Sequence, residues 1–579
     1  MSSWKEVYER WRKFENLDSK LKNDLEQLAT DEQELEDAFY KELTFGTGGM
    51  RGIIGPGTNR MNIYTIRKAV NGLAHYLLKT GVNVKDRGVV VAYDSRYMSQ
   101  DFAIETAKVL GVHGIKTYVF RTLKPTPLLS FAVRHLGTVA GIMITASHNP
   151  PQYNGFKVYN EDGGQITLDD ANQIIETIQQ MEDGLVTPVA DQDKLEEDEL
   201  LIWIDHEVDE AYLQELLTIS KMDEATINEE KDLKIVFTPL HGTAYKLVMD
   251  GLKQLQFTNV AVVEEQVNPD PEFSTVELPN PEEDQAFALA IEKGKELEAD
   301  ILLATDPDAD RLGVAVRDHT GEYQLLTGNQ LGSLMLDYIL AHTDPVILNN
   351  ARMIKTIVTS ELGQAIASSY GVSTVNTLTG FKFIGEKIRQ YDATGETFVF
   401  GYEESYGYLI GSFARDKDAV QATMMACEMA YYWKNKGKTL IDALHHLFEK
   451  HGYYLEGLTS LTLAGIEGTE KIKMIMDHMR HSSILEIAGF QVEAIEDYLT
   501  REKVYVTDGK SPEKIELPQE NVIKFLIEQD SWVCLRPSGT EPKIKCYYGV
   551  RGSSYEESQE RLRLLQTTME KLMDDIIHS

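Results

Sequence analysis

Short apolar runs rich in Val and Ile alternate with helix-length amphipathic segments along most of this chain, and several of the runs end in an unusual polar loop. Gly88–Tyr93, Ala140–Thr145, Leu233–Phe237, Asp300–Ala304 and Thr397–Phe400 have strand length and strand composition. Strands that alternate with helices build α/β layers. Ligands in open α/β sheets bind outside the carboxyl ends of strands, so function is expected in the loops found there. Those loops are Asp94-Ser95-Arg96, Ala146-Ser147-His148-Asn149-Pro150, Asp306-Pro307-Asp308-Ala309-Asp310 and Glu403-Glu404-Ser405.

At 579 residues the chain exceeds what one hydrophobic core serves. Met181–Glu199, Lys221–Lys231 and the proline-containing Asn268–Glu283 read as surface connections, which suggests boundaries near 205, 325 and 455. The domains expected are 1–204, 205–325, 326–455 and 456–579. The last has a strand at Val522–Ile527 and a strand-loop-strand at Trp532–Val550, and reads as a smaller α+β domain. Residues 1 to about 40 predict a solvated helix or two packed on the first domain.

Lys and Arg number 57 against 92 Asp and Glu, a formal charge of −35. Nucleic acid and anionic bilayers are repelled by such a field, so an anionic substrate needs a local basic pocket. Cys427, Cys534 and Cys546 have no metal or disulfide spacing, and the N-terminus has no apolar signal core. No stretch has the length to span a bilayer. These features predict a cytoplasmic protein with reduced thiols.

The segment Thr145–Lys157 follows an apolar strand and packs a hydroxyl, an imidazole, amides and a lysine into one turn. Ser147 is placed there as a phosphoryl acceptor, with Pro150 and Pro151 limiting the loop; the competing reading is a plain Asx/Pro turn. Asp306, Asp308 and Asp310 bring together carboxylates that repel one another unless a cation neutralises them. Extended, the outer two would lie roughly 13 Å apart, so the segment must curl to serve one ion. An EF-hand is excluded, because its glycine and glutamate positions hold Arg311 and Arg317. Hard oxygen donors favour magnesium, with manganese possible. Glu403 and Ser405 suit sugar hydroxyls. Arg536-Pro-Ser538-Gly539-Thr540 offers a guanidinium fork, hydroxyls and open backbone to a phosphate. Phe45–Arg51 is glycine-rich without a nucleotide-binding pattern, and Arg51 is left to meet a phosphoryl group or to pair at the surface. His241 reads as structural.

In this order, the serine loop, the DPDADR loop, the GYEESYGY loop and the RPSGTEPK loop resemble the signatures of the α-D-phosphohexomutase family over roughly residues 40 to 550. The resemblance implies three related α/β domains with mixed sheets and a smaller C-terminal domain around a central cleft. It implies a phosphoserine at Ser147. Asp306, Asp308 and Asp310 would hold one Mg2+ together with a phosphoryl oxygen on Ser147. Lys157 and Arg51 match residues that assist proton transfer and stabilise the moving phosphoryl group. Arg311 and Lys382 match substrate contacts, Glu403 and Ser405 match readers of the sugar, and Arg536, Ser538, Gly539 and Thr540 match binders of the other phosphate.

The activity implied is exchange of glucose 1-phosphate and glucose 6-phosphate, with glucose 1,6-bisphosphate as intermediate and activator. Lys157 is then the expected base, if burial and local positive charge lower its pKa. Mannose-type members carry a histidine where this chain has Tyr406-Gly407-Tyr408, which weighs against mannose phosphates. Pentose phosphates, a phosphohydrolase and a non-catalytic sugar-phosphate sensor stay open, as does the choice between monomer and dimer.

Overall fold

Burial decides which apolar runs become inner strands. The computed structural model describes residues 3–46, 48–463, 465–507, 509–538 and 543–578. The chain divides into two compact units, one of residues 1–328, 381–401 and 405–439, the other of residues 329–380, 402–404 and 440–579.

The first unit contains two mixed sheets. Strands β1 (Gly49–Ile53), β2 (Val89–Tyr93), β3 (Thr117–Phe120), β4 (Ala140–Ile144), β5 (Tyr153–Asn160) and β6 (Leu201–Ile204) lie in the order β1-β5-β4-β2-β3-β6. Strands β4, β2, β3 and β6 run parallel, while β5 and β1 are added antiparallel. All five residues of β2 and of β4 are buried, as expected of parallel strands covered on both faces. The second sheet, β7 (Ile235–Thr238), β8 (Val260–Val262), β9 (Ile301–Thr305), β10 (Leu312–Arg317) and β11 (Tyr323–Leu326), has the order β11-β10-β9-β7-β8. It repeats the scheme, with parallel β7, β8 and β9 followed by antiparallel β10 and β11.

The N-terminal segment forms three helices, Trp4–Lys13, Ser19–Leu28 and Glu32–Phe39, where the sequence suggested one or two. Ser3, Asp18 and Asp31 each accept backbone N–H groups as N-caps, so every cap restarts a short helix. Trp11 packs edge-on against Phe39 and Tyr64 and ties the helices to the first sheet's layer. Asn268–Glu283 is an irregular connection with Asn268, Pro269, Glu272 and Glu277 exposed, but it buries Phe273 and Asn280. His241 anchors it: one ring nitrogen faces the Asn268 carbonyl at 3.0 Å and the other the Thr275 hydroxyl at 2.8 Å, the satisfied role expected of this histidine.

In the second unit, β12 (Ala351–Thr356) and β13 (Ser373–Thr377) pair in parallel. The chain passes from one unit to the other along β14 (Thr397–Glu403), and β15 (Gly407–Leu409) follows. The C-terminal sheet comprises β16 (Tyr453–Thr462), β17 (Glu486–Ile487), β18 (Phe490–Asp497), β19 (Glu502–Tyr505), β20 (Glu513–Lys514), β21 (Ile523–Ile527), β22 (Ser531–Pro537) and β23 (Lys543–Gly552). It is antiparallel, and helices Gly465–His481 and Tyr555–His578 cover its apolar face through Met476, Met479, Leu565 and Met569. Among the described residues no helix is long and apolar enough to cross a membrane.

Candidate active site

Ser147 leaves the end of β4 with φ +52°, a left-handed conformation seldom taken by a residue with a side chain. Its N–H donates to the Thr145 hydroxyl (2.8 Å), and the Asn149 N–H closes the turn on the Ala146 carbonyl (3.1 Å). This turn points the buried Ser147 hydroxyl at Asp306, where it donates to Oδ2 at 2.8 Å. His148 Nδ1 lies 3.1 Å from Ser147 Oγ. Burial, with Arg311 and Arg51 nearby, pushes the His148 pKa well below its ordinary value, so the ring is neutral.

The acidic segment follows β9 and curls as the spacing required. Asp306 Oδ1 accepts the N–H groups of Asp310 and Arg311, both at 3.0 Å, and Ala309 takes φ +53°. Outside the curl, the Thr243 N–H and hydroxyl donate to the Pro307 carbonyl, both at 2.9 Å, and the Thr126 hydroxyl donates to Asp308 Oδ2 at 2.9 Å. The carboxylates of Asp306, Asp308 and Asp310 are buried and each offers an oxygen within 4.8 Å of the others. One oxygen each of Asp308 and Asp310 is buried without a hydrogen bond among the described residues. Burial and the two neighbouring carboxylates push the Asp306 pKa well above the usual carboxylate range. Burial opposes ionisation of Asp308 and Asp310 too, but Lys157 beside Asp308, and Lys417 and Lys157 beside Asp310, hold both below it. Converging hard oxygens with unsatisfied lone pairs fit a divalent metal ion.

Cations complete this part of the site. Lys157, on β5, reaches Asp308 Oδ2 at 2.8 Å and Asp310 Oδ2 at 3.5 Å. Burial alone would lower its pKa, but the two aspartates outweigh burial and raise it, contrary to the expectation from sequence. Arg51, exposed on β1, donates to the Asn149 side chain at 2.8 Å, next to the serine turn. Arg311 pairs with Glu282.

Lys417 was missed in the sequence: its Nζ stands 3.1 Å from Asp310 Oδ2. The available signal was the tetrapeptide Arg415-Asp-Lys-Asp418, in which the neighbours of Lys417 are each engaged elsewhere. Arg415 pairs with Asp162 and Asp392, Asp416 accepts the Tyr159 hydroxyl (2.9 Å), and Asp418 accepts that of Tyr212 (2.7 Å). Lys382 is half-buried at the start of helix Phe381–Thr394, and Ser405 is half-buried after β14.

In the second unit, Glu403 is buried and its Oε1 accepts the Gly380 N–H at 2.8 Å. Neighbouring Glu404 accepts the hydroxyls of Thr356 (3.2 Å) and Thr359 (3.1 Å). Arg536 lies next to the last residue of β22 and its Nε is 3.3 Å from Glu520, while the Ser538 N–H donates to the Lys543 carbonyl at 2.7 Å. Gly539 and Thr540 lie outside the described residues.

A strand-end hydroxyl bonded into a buried carboxylate triad and ringed by cations equips the first unit for metal-assisted phosphoryl transfer, so fold and site together define the phosphotransferase class. Family profiles described as phosphoglucomutase/phosphomannomutase match four times: alpha/beta/alpha domain I over residues 42–184, domain II over 210–321, domain III over 327–451 and the C-terminal domain over 492–566. The chain belongs to the phosphoglucomutase/phosphomannomutase family. It is 41% identical over 559 residues to a phosphoglucomutase of Staphylococcus aureus, covering 96% of this chain and 98% of the relative. It is 42% identical over 529 residues to one from Staphylococcus haemolyticus, covering 90% and 93%. Among solved structures, a phosphoglucomutase/phosphomannomutase family protein from Burkholderia thailandensis aligns with a TM-score of 0.65 at 18% identity, covering 92% of this chain and 97% of that one. The open form of the Paramecium phosphoglucomutase parafusin aligns with a TM-score of 0.65 at 17% identity, covering 93% and 96%, so both share the fold.

Proposed function

We propose that this chain is a phosphoglucomutase that exchanges glucose 1-phosphate and glucose 6-phosphate through a phosphoserine at Ser147 and a glucose 1,6-bisphosphate intermediate. The observation that carries the reading is the 2.8 Å contact of the Ser147 hydroxyl with a buried aspartate of the triad, supported by full-length relatives named phosphoglucomutase. Asp306, Asp308 and Asp310, joined by a phosphoryl oxygen on Ser147, would hold Mg2+. The metal supplies charge neutralisation to the group in transfer.

The protein's own residues do the rest. Phosphoryl transfer needs alignment and positive charge more than covalent chemistry from its surroundings. Lys157, 2.8 Å from Asp308, supplies positive charge beside Ser147 and assists proton transfer. Neutral His148 lies next to Ser147 Oγ and adds no charge there. Arg51 faces the transferring phosphoryl group, and Arg311 and Lys382 contact substrate. Glu403 and Ser405 take the sugar hydroxyls, with Arg536, Ser538, Gly539 and Thr540 on the phosphate that stays. We place the domain boundaries at 1–204, 205–325, 326–455 and 456–579, and the protein in the cytoplasm acting on small sugar phosphates.

A coupled assay with glucose 1-phosphate, Mg2+ and a trace of glucose 1,6-bisphosphate tests the reading. Glucose 6-phosphate is expected, and Ser147→Ala removes its formation while the melting temperature holds. Net release of inorganic phosphate in its place would make the protein a phosphohydrolase, and no turnover a sensor. Retained exchange in Ser147→Ala would end the proposal.

A further inference from the structure

Arg96, from the Asp94-Ser95-Arg96 loop, has no role in the chemistry above, yet it is buried beneath the serine turn. Its Nη1 donates to the carbonyls of Pro150 (2.8 Å) and Tyr153 (3.0 Å), and its Nη2 to those of Ser147 (2.6 Å) and Asn149. All four acceptors belong to residues 147–153. Asp94 fixes the other end: its Oδ2 is 3.4 Å from the Arg96 Nε, and its Oδ1 accepts the Arg96 N–H (3.0 Å) and the Ser99 hydroxyl (2.8 Å). The guanidinium carbon lies 4.9 Å from the ring centroid of Phe273, a residue of the segment that ends near Glu282, the partner of Arg311.

We propose that Arg96 is the positioning residue of the serine turn, holding Ser147 in its left-handed conformation so that Oγ meets the Asp306 triad. This rests on the phosphoserine reading above. A turn with φ +52° at a serine relaxes unless its surroundings over-determine it. Buried carbonyls need donors, and one planar guanidinium supplies them to four residues of the same loop at once. Lysine cannot imitate it, because an ammonium is a compact point charge without the rigid fork. Its four bonds to the serine turn all go to backbone carbonyls and none to the Ser147 hydroxyl, so Arg96 sets the geometry of the turn.

A displaced phosphoserine loses aligned transfer to the sugar hydroxyl but still meets water. In that side reaction a water oxygen bonds to phosphorus, the bond from phosphorus to Ser147 Oγ breaks, and a proton from the water ends on Oγ as inorganic phosphate leaves. The sensitive readout is therefore phosphate released per glucose 6-phosphate formed. In Arg96→Lys, kcat is expected to fall ~100-fold with KM changed by less than about threefold, and the phosphate ratio to rise roughly tenfold.

An unchanged ratio beside a lowered melting temperature would reduce Arg96 to a structural role and overturn the inference, as would wild-type kinetics. If Arg96→Lys does not fold, Phe273→Leu, which takes the ring from under the guanidinium, decides: a raised ratio supports the inference and an unchanged one ends it. Wild-type protein lacking both exchange activity and phosphate on Ser147 would instead bring down the underlying reading.

Discussion

A Cβ at Gly242 would lie 2.4 Å from the Cα of Pro307 and 2.5 Å from its carbonyl oxygen, closer than backbone atoms allow. Only glycine lets the turn after β7 press on the acidic loop. Gly242→Ala is expected to push Pro307 outward and spread Asp306 and Asp308, raising the Mg2+ concentration for half-maximal activity about tenfold and costing 1–3 kcal/mol by overpacking, both rough figures. Magnesium titration of activity, with urea melts, checks it; an unchanged requirement would mean that the loop tolerates the shift. The aspartates themselves were legible in sequence, because three alternating carboxylates between apolar strands have few uses besides a cation. Lys417 was not: it meets Asp310 only through the fold, and its own neighbours in the chain look like ordinary solvated charge.

At the scale of elements, the buried parallel strands were the most readable part. The runs over Gly88–Tyr93 and Ala140–Thr145 became β2 and β4 nearly residue for residue, since a strand covered on both faces must be continuously apolar. Within the connection Asn268–Glu283 the burial of Phe273 was not legible, because polarity in a sequence does not distinguish fully solvated chain from chain that packs one aromatic into a neighbouring loop. Strand β16 carries a testable charge. Burial, opposed by hydrogen bonds from Ser360 and Asn329, raises the Glu456 carboxyl from 4.5 to about 7. The folded state thus favours the protonated acid, and that contribution is complete below about pH 4.5 and is lost as pH rises from there to about 7. Glu456→Gln, always uncharged, is expected to lose less stability than wild type over that interval, by on the order of 2 kcal/mol. Urea unfolding at matched pH values measures the difference, and parallel curves for the two proteins would show that Glu456 titrates normally.

Over the whole molecule the formal charge of −35 draws cations to any part of the surface, so metal-dependent stability by itself does not locate a site. The triad differs from the surface in being buried and therefore little screened. At 0.15 M salt, Mg2+ at a hundredfold excess over its Kd is expected to stabilise the protein by ~2.7 kcal/mol, seen as a rise in melting temperature. Asp308→Asn is expected to abolish the rise. The gain also grows with pH, because burial and its neighbours push the Asp306 carboxyl above the usual carboxylate range, and an ion and a proton compete for its oxygens. Hydrogen exchange separates the two kinds of binding. Occupation of the triad slows amides of β9, β10 and the loop from Asp306 to Arg311, whereas a diffuse ion cloud protects no segment in particular. Stabilisation that survives Asp308→Asn, or protection spread evenly along the chain, would assign the metal to the surface and leave the three aspartates to be neutralised by Lys157 and Lys417 alone.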